Sequence, residues 1–489
     1  MWLTQLVDHN RQCRADRLAV VDDRGGRTWR ELARRVDNLA AGLAGWGVRP
    51  GDRVAVLSAD RTEVVETYLA LGRLGALFVP LNHGLVPREV AEIAGHARLS
   101  AILGERHLLD RLGDSAPARR IAFTDAAYGR LAETDRTEPL PDVQADDLAA
   151  ILYTSATTGW PKGAVADHRA LKDIALGWLA VAGPVEDAVL VSSCPLYHGS
   201  VVLSLAYLAA GATLVLVADP TPARVLHALR EHRATHVWLV PEMLRGITGG
   251  LGDLPHLREI LYGAAPLPVE VYAEAARTTT AGFRQVYGVT EVGGPFVTLS
   301  PAEHPAPDGP LPEVLPAGRV VPGMSVQIVD PDGEPLPAGG VGELCARGDG
   351  VMRGYWNDPG ATAAVTVDGW VRTGDLGRLD EDGYLHLLGR KTDMIIRAGH
   401  NVYPAEIERV LRRHPGVRDV VVVGRPAGDT EAPVAFVVPA ERRPGLAELH
   451  AYLAETLADY KRPREVRFLD ELPRTETGKI RRRLLEVAP

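Results

Sequence analysis

The amino-acid sequence predicts an α/β fold in which helices cover parallel sheets. The first observation is that short apolar strands alternate with amphipathic helices over most of residues 1–300. Residues 53–57 are typical of a strand, residues 63–74 repeat apolar side chains at helical spacing, and residues 79–82 close a strand–helix–strand unit. The second observation is a change near Gly318 to short β runs, and the third is a new α+β pattern from about residue 390.

These patterns divide the chain into a large domain, residues 1–389, and a small domain, residues 390–489. We expect two parallel-sheet α/β subdomains in the large domain, because 489 residues are too many for a single core. The β runs after Gly318 are separated by turn signals such as the Asp-Pro-Asp-Gly run at 330–333, which predicts a small β-barrel-like subdomain. The small domain is expected to be an α+β unit.

Composition and charge argue against several classes of function. The hydrophobic fraction of 46% and the charged fraction of 24% are those of a globular protein. A formal net charge of −9 argues against nucleic acid as the main partner, since such binders usually carry a basic excess. Cys13, Cys194 and Cys345 are far apart, so no disulfide framework is expected and a reducing cytoplasm fits. The N-terminal residues show no signal-peptide pattern.

Two patterns have a simpler structural explanation than a functional one. Residues 199–218 carry no charge and by length could span a membrane, but Gly211 splits them into a helix-like half and a β-like half. We therefore expect a buried helix, turn and strand and no membrane span. His232 and His236 have the i, i+4 spacing of metal ligands, yet no third ligand accompanies them and the helix is expected to end between them. We expect a solvated helix end there.

The most informative stretch is a loop suited to bind a polyphosphate. Residues 153–163 read Tyr-Thr-Ser-Ala-Thr-Thr-Gly-Trp-Pro-Lys-Gly and follow the apolar run at 148–152. A buried strand that leads into hydroxyls and free backbone N–H groups can surround phosphates. It is not a Walker A loop, because Trp160 and Pro161 separate the Gly from the Lys. Taken alone, it could be an ordinary turn. The candidate phosphate-binding residues are Thr154, Ser155, Thr157, Thr158, Gly159 and Lys162.

Four later segments could complete a nucleotide site. Gly263, Ala264 and Ala265 end a strand at 260–262, where small side chains let a planar base approach the backbone. Residues 287–291 combine an aromatic ring, a hydroxyl and a carboxylate, and the carboxylate oxygen suits a hard cation. Asp375 follows a strand and a Gly, and such a carboxylate can accept both ribose hydroxyls. Lys479, beside Gly478, could bring a cation to a centre where negative charge gathers.

In this order, the segments resemble the motifs of the acyl-adenylate-forming superfamily, which comprises acyl-CoA synthetases, adenylation domains and luciferases. The phosphate loop departs from the usual signature only at Ala156, where the family has Gly. The resemblance implies ATP and Mg²⁺ as cofactors. By similarity, Tyr287 of the Tyr287-Gly288 pair would stack on adenine and Thr290 would contact the α-phosphate. Glu291, with Thr154, would hold Mg²⁺.

The resemblance also assigns roles near the domain junction and in the small domain, which it implies is mobile. Asp375 would bind the ribose, and Arg390 would reach the ribose or the α-phosphate. Thr392 stands at the hinge, where the family usually has Asp or Lys. Gly399 would line the tunnel for a pantetheine arm. Lys479 would neutralise the acid's carboxylate and the α-phosphate in the transition state.

The implied function is that of an ATP-dependent, AMP-forming acid–CoA ligase, which makes an acyl-AMP and then an acyl thioester. His198, in a Pro-Leu-Tyr-His segment, would lie near the acid's carboxylate. No Asp follows Tyr197 to pair an α-amino group, so a fatty, aryl or other small organic acid is expected. Only ten residues follow Lys479, so the acceptor is expected in trans, as CoA or as the phosphopantetheine arm of a separate carrier protein.

Two other functions stay open at this point. The first is a stand-alone adenylating enzyme that passes the acyl group to a carrier protein or to another nucleophile. The second is an adenylate-binding paralogue with impaired turnover, which Ala156 and Thr392 suggest. The identity of the acid and the oligomeric state are not determined by these patterns.

Overall fold

The structure is a computed structural model. It describes residues 2–113, 117, 119–135, 139–154, 161–183, 185–198, 200–397, 400–427, 430–475 and 480–486. The chain divides into two compact units, one holding residues 1–326 and 346–371 and the other holding residues 327–345 and 372–489. The predicted domain boundary between residues 389 and 390 stays a prediction. Among the helices that the described ranges contain, none is both long enough and apolar enough to cross a membrane.

The first unit contains a large mixed sheet that supplies most of the candidate site. Within the described residues it has nine strands, and the six at its centre run parallel to one another. In spatial order the strands are Arg319–Val320, Gly294–Leu299, Gly282–Val289, Glu259–Gly263, His236–Leu239, Val189–Ser192, Thr213–Leu216, Leu18–Asp22 and Gly25–Thr28. Parallel central strands are buried on both faces, as the apolar sequences of Val189–Ser192 and Thr213–Leu216 require.

A second sheet of the same unit supplies the strand before the phosphate loop. In the described part of the chain its strands follow the order Arg120–Ala122, Ala101–Gly104, Arg53–Leu57, Leu77–Leu81, Leu148–Tyr153 and Gly163–Asp167. All neighbours are parallel except the last two, which are antiparallel. Ala55, Leu57 and Val79 form part of its core. The two parallel sheets confirm the predicted pair of α/β subdomains.

Helices connect the strands of these sheets, as the alternating pattern predicts. In the first unit they are Trp2–Arg14, Trp29–Gly45, Thr62–Leu74, Pro87–Ala97, Arg106–Arg111, Ala126–Glu133, His168–Ala182, Ser200–Ala209, Pro222–Glu231, Pro241–Ile247, Val269–Thr278 and Pro359–Val365. Short 3₁₀ helices occupy Thr248–Asp253, Thr290–Val292 and Pro301–Glu303. The helix starting after Thr28 shows why a boundary falls where it does: the Thr28 side chain accepts from the Glu31 N–H, and the Glu31 carboxylate accepts from the Thr28 N–H.

The uncharged stretch 199–218 confirms one prediction, and the histidine pair corrects another. Helix Ser200–Ala209 and strand Thr213–Leu216 lie on either side of Gly211, whose φ of +87° suits glycine. His236, however, is not at a solvated helix end. It begins the buried strand His236–Leu239, and burial lowers the pKa of its imidazole to about 4. The prediction was wrong for His236 because its burial is set by the neighbouring strands, which local spacing does not show.

The structure also contains the predicted β-rich stretch and the predicted small α+β region. A further sheet of the described residues contains Met324–Val329, Gly342–Gly348, Thr366–Val367, Trp370–Leu379 and Leu385–Arg390. In the second unit, Val417–Ala427, Thr430–Pro439 and Glu465–Phe468 form one sheet and Ile395–Arg397 pairs with His400–Val402. Its helices are Pro404–Arg412, Leu446–Thr456 and Arg482–Glu486, with 3₁₀ helices at Lys391–Asp393 and Asp459–Lys461. Val420, Val422 and Leu449 belong to its core.

Candidate active site

Three of the predicted segments meet at one edge of the nine-stranded sheet. His198 follows strand Val189–Ser192, Ala264 and Ala265 follow strand Glu259–Gly263, and Tyr287 and Gly288 lie in the last residues of strand Gly282–Val289. These strands and His236–Leu239, which lies between them, are parallel neighbours, so their carboxyl ends share an edge. Ligands of open α/β sheets bind at that edge.

Small residues let the backbone come close together at the ends of two of these strands. Gly263 pairs with Val286, and a Cβ at Gly263 would overlap the Val286 carbonyl. A Cβ at Gly288 would overlap the Gly294 carbonyl, at a point where the register with strand Gly294–Leu299 shifts. Ala264 has a φ of +65°, a left-handed conformation that is uncommon without glycine. Ala264 and Ala265 are both exposed at this turn, which is what a base-binding segment requires.

The residues of the aromatic–hydroxyl–carboxylate segment lie in one short turn. Tyr287 is half-buried, and its ring lies 5.3 Å from that of Phe296 between centroids. Thr290 and Glu291 belong to a 3₁₀ helix that Gly293 ends with a φ of +77°. One Glu291 carboxylate oxygen accepts a hydrogen bond of 2.8 Å from the Tyr355 hydroxyl, and the Glu291 carbonyl accepts one of 2.9 Å from the Met352 N–H. Glu291 is therefore held in place by a segment distant in sequence.

The strands on both sides of the phosphate loop bring Lys162 to the same tyrosine. Strand Leu148–Tyr153 is antiparallel to strand Gly163–Asp167, and the Thr154 N–H donates to the Lys162 carbonyl at 2.9 Å. The Lys162 Nζ lies 5.0 Å from the centroid of the Tyr355 ring. Tyr355 thus contacts both a predicted phosphate ligand, Lys162, and one of the two predicted metal ligands, Glu291. Ser155, Ala156, Thr157, Thr158 and Gly159 lie outside the described residues.

A cavity of about 230 Å³ lies on the flank of this strand pair. Its walls combine aromatic rings with charged side chains: Glu92, Ile93, His96, Tyr153, Pro161, Lys162, Gly163, Tyr355, Trp356 and Asp358. The His96 Nδ1 and the Tyr153 hydroxyl lie 2.8 Å apart, and burial raises the pKa of the Tyr153 phenol. The Tyr153 side chain is therefore neutral at physiological pH, and it lines the cavity as a hydrogen-bonding group.

The segment that carries His198 is held from the second sheet. The His198 and Tyr197 ring centroids are 4.6 Å apart, and the ring of Tyr197 lies edge-on to that of His83 at 5.6 Å. The Leu196 N–H donates to the carboxylate of Asp60 at 2.9 Å. Burial raises the pKa of Asp60 to about 7, and the negative charge of Asp219 adds to that effect.

The raised pKa predicts that Asp60 makes stability depend on pH. In the unfolded state the carboxyl ionises above about pH 3.8, whereas in the folded state its pKa is about 7. Ionisation therefore favours the unfolded state. The resulting loss in the free energy of unfolding is absent below about pH 4 and complete above about pH 7. It reaches at most about 4 kcal/mol, because one pKa unit corresponds to about 1.4 kcal/mol. We therefore expect Asp60→Asn to raise the melting temperature relative to the wild type more at pH 8 than at pH 5. An equal difference at both pH values would contradict this.

The second unit brings two further predicted nucleotide ligands together. The Arg390 Nε lies 2.8 Å from a carboxylate oxygen of Asp375, and the Arg390 guanidinium also donates to the Thr373 carbonyl at 3.1 Å. Asp375 lies inside strand Trp370–Leu379, whereas the sequence predicted that it follows a strand. Thr392 is in the 3₁₀ helix Lys391–Asp393. Gly399 and Lys479 lie outside the described residues.

Sequence reasoning missed Tyr355 and Asp60. Tyr355 acts through contacts with residues nearly 65 and 200 positions away, and its own neighbourhood, Arg-Gly-Tyr-Trp, contains no pattern that points to them. Asp60 follows strand Arg53–Leu57, and a carboxylate at the carboxyl end of a predicted parallel strand could have been noticed. In the part of the chain that the structure describes, no group of three or more His, Cys, Asp or Glu side chains could hold a metal ion.

Comparison with known proteins identifies the family of the chain. The sequence model for the AMP-binding enzyme matches residues 7–356, and that for the AMP-binding enzyme C-terminal domain matches residues 406–479. A feruloyl-CoA synthase from Amycolatopsis sp is 37% identical over 93% of this chain and 92% of its own length. The fatty acid–[acyl-carrier-protein] ligase ScoC from Streptomyces coeruleorubidus is 35% identical over 94% of this chain and 91% of its own. The crystal structure of ATP-bound MatB from Rhodopseudomonas palustris superposes with a TM-score of 0.91 at 30% identity, covering 99% of this chain and 98% of that one.

These matches confirm the predicted fold class and the predicted class of enzyme, an AMP-forming acid–thiol ligase. They extend over nearly the whole chain, so the agreement does not depend on the phosphate loop alone. The chain belongs to the family of AMP-binding enzymes.

Proposed function

We propose that this ligase activates an aryl or fatty acid with ATP and transfers the acyl group to the thiol of CoA. The observation that carries the proposal is the shared edge of the nine-stranded sheet, where the segments of His198, Ala264 and Glu291 follow parallel neighbouring strands. The acid's carboxylate would attack the α-phosphorus of ATP and release pyrophosphate. The thiol would then attack the acyl carbon, and AMP would leave.

In this proposal the site acts through orientation and charge and forms no covalent bond to the enzyme. Tyr287, Gly263, Ala264 and Ala265 would bind the adenine, and Thr290 would contact the α-phosphate. Asp375 would bind the ribose, with its carboxylate oriented by the ion pair to Arg390. Gly288 would keep the strand free of a side chain beside Tyr287. Lys479 would contribute its ammonium to the adenylation step.

A magnesium ion fits the residues proposed to hold it. The Tyr355 hydroxyl occupies only one acceptor position of Glu291, and an ionised carboxylate has about four such positions. Glu291 and Thr154 would hold the ion together with the phosphates of ATP, since Mg²⁺ commonly uses one or two protein ligands plus substrate phosphates. When bound, the ion supplies positive charge that offsets the charge of the phosphates.

The class of acid follows from the His198 segment. An α-amino acid would need a carboxylate to pair its ammonium, and no acidic residue directly follows Tyr197 in this segment. A feruloyl-CoA synthase and a fatty acid–carrier-protein ligase among the relatives support an aryl or fatty acid. The second relative also supports a carrier protein as the alternative acceptor, whose phosphopantetheine arm would pass Gly399.

Cellular location and domain motion are part of the same proposal. Cys194 and Cys345 are buried free thiols, which suits a reducing cytoplasm. Thr392 would be the pivot between residues 1–389 and 390–489, since a hinge needs only to absorb a change in backbone angles.

Two assays on the purified enzyme test the function. With a panel of aryl, fatty and amino acids, we expect pyrophosphate release from ATP to depend on an aryl or fatty acid. With the acid that reacts fastest, we expect a thioester with free CoA at a higher rate than acyl transfer to a purified carrier protein. Faster transfer to the carrier would favour the alternative acceptor. No pyrophosphate release with any acid would contradict ligase activity and favour an impaired adenylate-binding paralogue.

A further inference from the structure

Several hydrogen bonds of the segment that carries His198 go to groups close to it in the chain or in its own sheet. The Ser193 hydroxyl donates to the Trp238 carbonyl at 2.7 Å, and the Ser192 hydroxyl donates to the Cys194 carbonyl at 3.2 Å. The His198 N–H donates to the Pro195 carbonyl at 3.2 Å. These bonds define a compact turn between strand Val189–Ser192 and helix Ser200–Ala209.

Leu196 makes a contact of a different kind. Its N–H is buried, since the residue is 2% exposed, and it donates to a carboxylate oxygen of Asp60 at 2.9 Å. Asp60 follows strand Arg53–Leu57 of the six-stranded sheet, so this bond joins the turn to the other sheet of the first unit. Loss of the acceptor would leave a buried donor without a partner, which is costly enough to move the turn.

The surroundings of Asp60 make its carboxylate unfavourable for the stability of the fold, which argues against a purely structural role. Asp60 is itself buried, at 7% exposed. Burial and the carboxylate of Asp219 raise the pKa of Asp60, and burial and the charge of Asp60 raise the pKa of the Cys194 thiol, so neither of these two neighbours supplies a positive charge. An ionisable side chain at such a position costs stability, and groups of this kind cluster at functional sites.

We propose that Asp60 is a positioning residue for His198, because its carboxylate fixes the turn that aims the imidazole at the acid's carboxylate. This inference rests on the proposed function, in which His198 lies near that carboxylate. Asp60 itself need not touch the acid. Its effect should therefore appear in the binding of the acid and not in the binding of ATP.

The test measures pyrophosphate release while the acid and ATP are varied separately. Asp60→Ala is expected to raise the KM for the acid about tenfold or more, since small displacements of a positioning group have effects of this size, and to change the KM for ATP less than about twofold. Asp60→Asn keeps the oxygen acceptor and should restore a KM for the acid close to that of the wild type at pH 7. In a His198→Ala background, Asp60→Ala should raise the KM for the acid no further, because residues that act as one unit are not additive.

Asp22 offers a matched control in the same unit. It is also a buried carboxylate that accepts backbone N–H groups, from Arg24 at 2.8 Å and from Thr62 at 2.9 Å, and neither donor belongs to the His198 turn. Asp22→Ala is expected to lower the melting temperature and to leave the KM for the acid within about twofold of the wild type. An equal rise in that KM would show that general loosening of the fold is the cause and would overturn the proposal.

Other outcomes also decide the question. An unchanged KM for the acid in Asp60→Ala, or additive effects with His198→Ala, would overturn the proposal. If Asp60→Ala does not fold, Asp60→Glu replaces it, because it keeps the charge and moves the carboxylate by one methylene. We expect a raised KM for the acid in that variant, and an unchanged one would contradict positioning. A wild type without acid-dependent pyrophosphate release would instead contradict the proposed function.

Discussion

Replacing Lys479 by alanine is expected to abolish acid-dependent pyrophosphate release while leaving thioester formation from presented acyl-AMP largely intact. In the first reaction two anions, the carboxylate and the α-phosphate, must approach each other, and negative charge concentrates in the transition state. A positioned cation acts on that charge more than on the ground state. Loss of one such electrostatic contact commonly costs a factor of about 10² to 10³ in kcat. In the second reaction only one anion leaves, so the same ammonium matters far less.

Arg483→Ala is the matched control for Lys479→Ala. Arg483 is exposed on helix Arg482–Glu486, so the variant also removes one positive charge from the carboxyl-terminal region. We expect both of its half-reactions to stay within about threefold of the wild type, as for an exposed substitution away from the chemistry. The two half-reactions are measured separately, as pyrophosphate formed from ATP and as thioester formed from synthetic acyl-AMP. Equal loss of both in Lys479→Ala would contradict a role confined to adenylation.

The fold could be predicted largely because its local and tertiary signals agree. Strand Arg53–Leu57 has the predicted bounds, and the break at Gly211 separates a helix from a strand as expected. In both cases the apolar pattern selects the element that the core also needs. His236 shows the opposite case. The local sequence predicts a solvated helix end there, but the neighbouring strands place His236 in a buried sheet, where tertiary pairing decides.

The candidate site could be predicted where its residues are contiguous and not where it depends on contacts between distant segments. The Tyr287 to Glu291 run is visible because aromatic ring, hydroxyl and carboxylate occur within five residues. Tyr355 is not visible, because its hydroxyl meets Glu291 and its ring meets Lys162 only in the folded chain. Asp60 is similar, since its partner is the backbone N–H of Leu196, and a backbone group carries no sequence signal.

Removing the charge of Glu291 is expected to have the second large effect. In Glu291→Gln the amide oxygen can still accept the hydrogen bond that the Tyr355 hydroxyl donates at 2.8 Å, so the side chain should keep its position. Only the negative charge that would hold Mg²⁺ is lost. We expect the kcat for acid-dependent pyrophosphate release to fall about 100-fold, the size of effect seen for one electrostatic contact in an active site. The Mg²⁺ concentration needed for half-maximal rate should rise as well.

Tyr355→Phe separates this charge from the geometry that supports it. The variant removes the hydroxyl that contacts Glu291 but keeps the aromatic ring beside the Lys162 ammonium. Because the carboxylate remains, we expect its kcat to fall only about tenfold, which is the size of one lost hydrogen bond to a charged group of about 1.5 kcal/mol. Its Mg²⁺ requirement should stay close to that of the wild type. Equal losses in the two variants would mean that the Tyr355 contact, and not the charge of Glu291, supports the reaction. A Glu291→Gln enzyme with the wild-type rate and Mg²⁺ requirement would exclude Glu291 as a metal ligand.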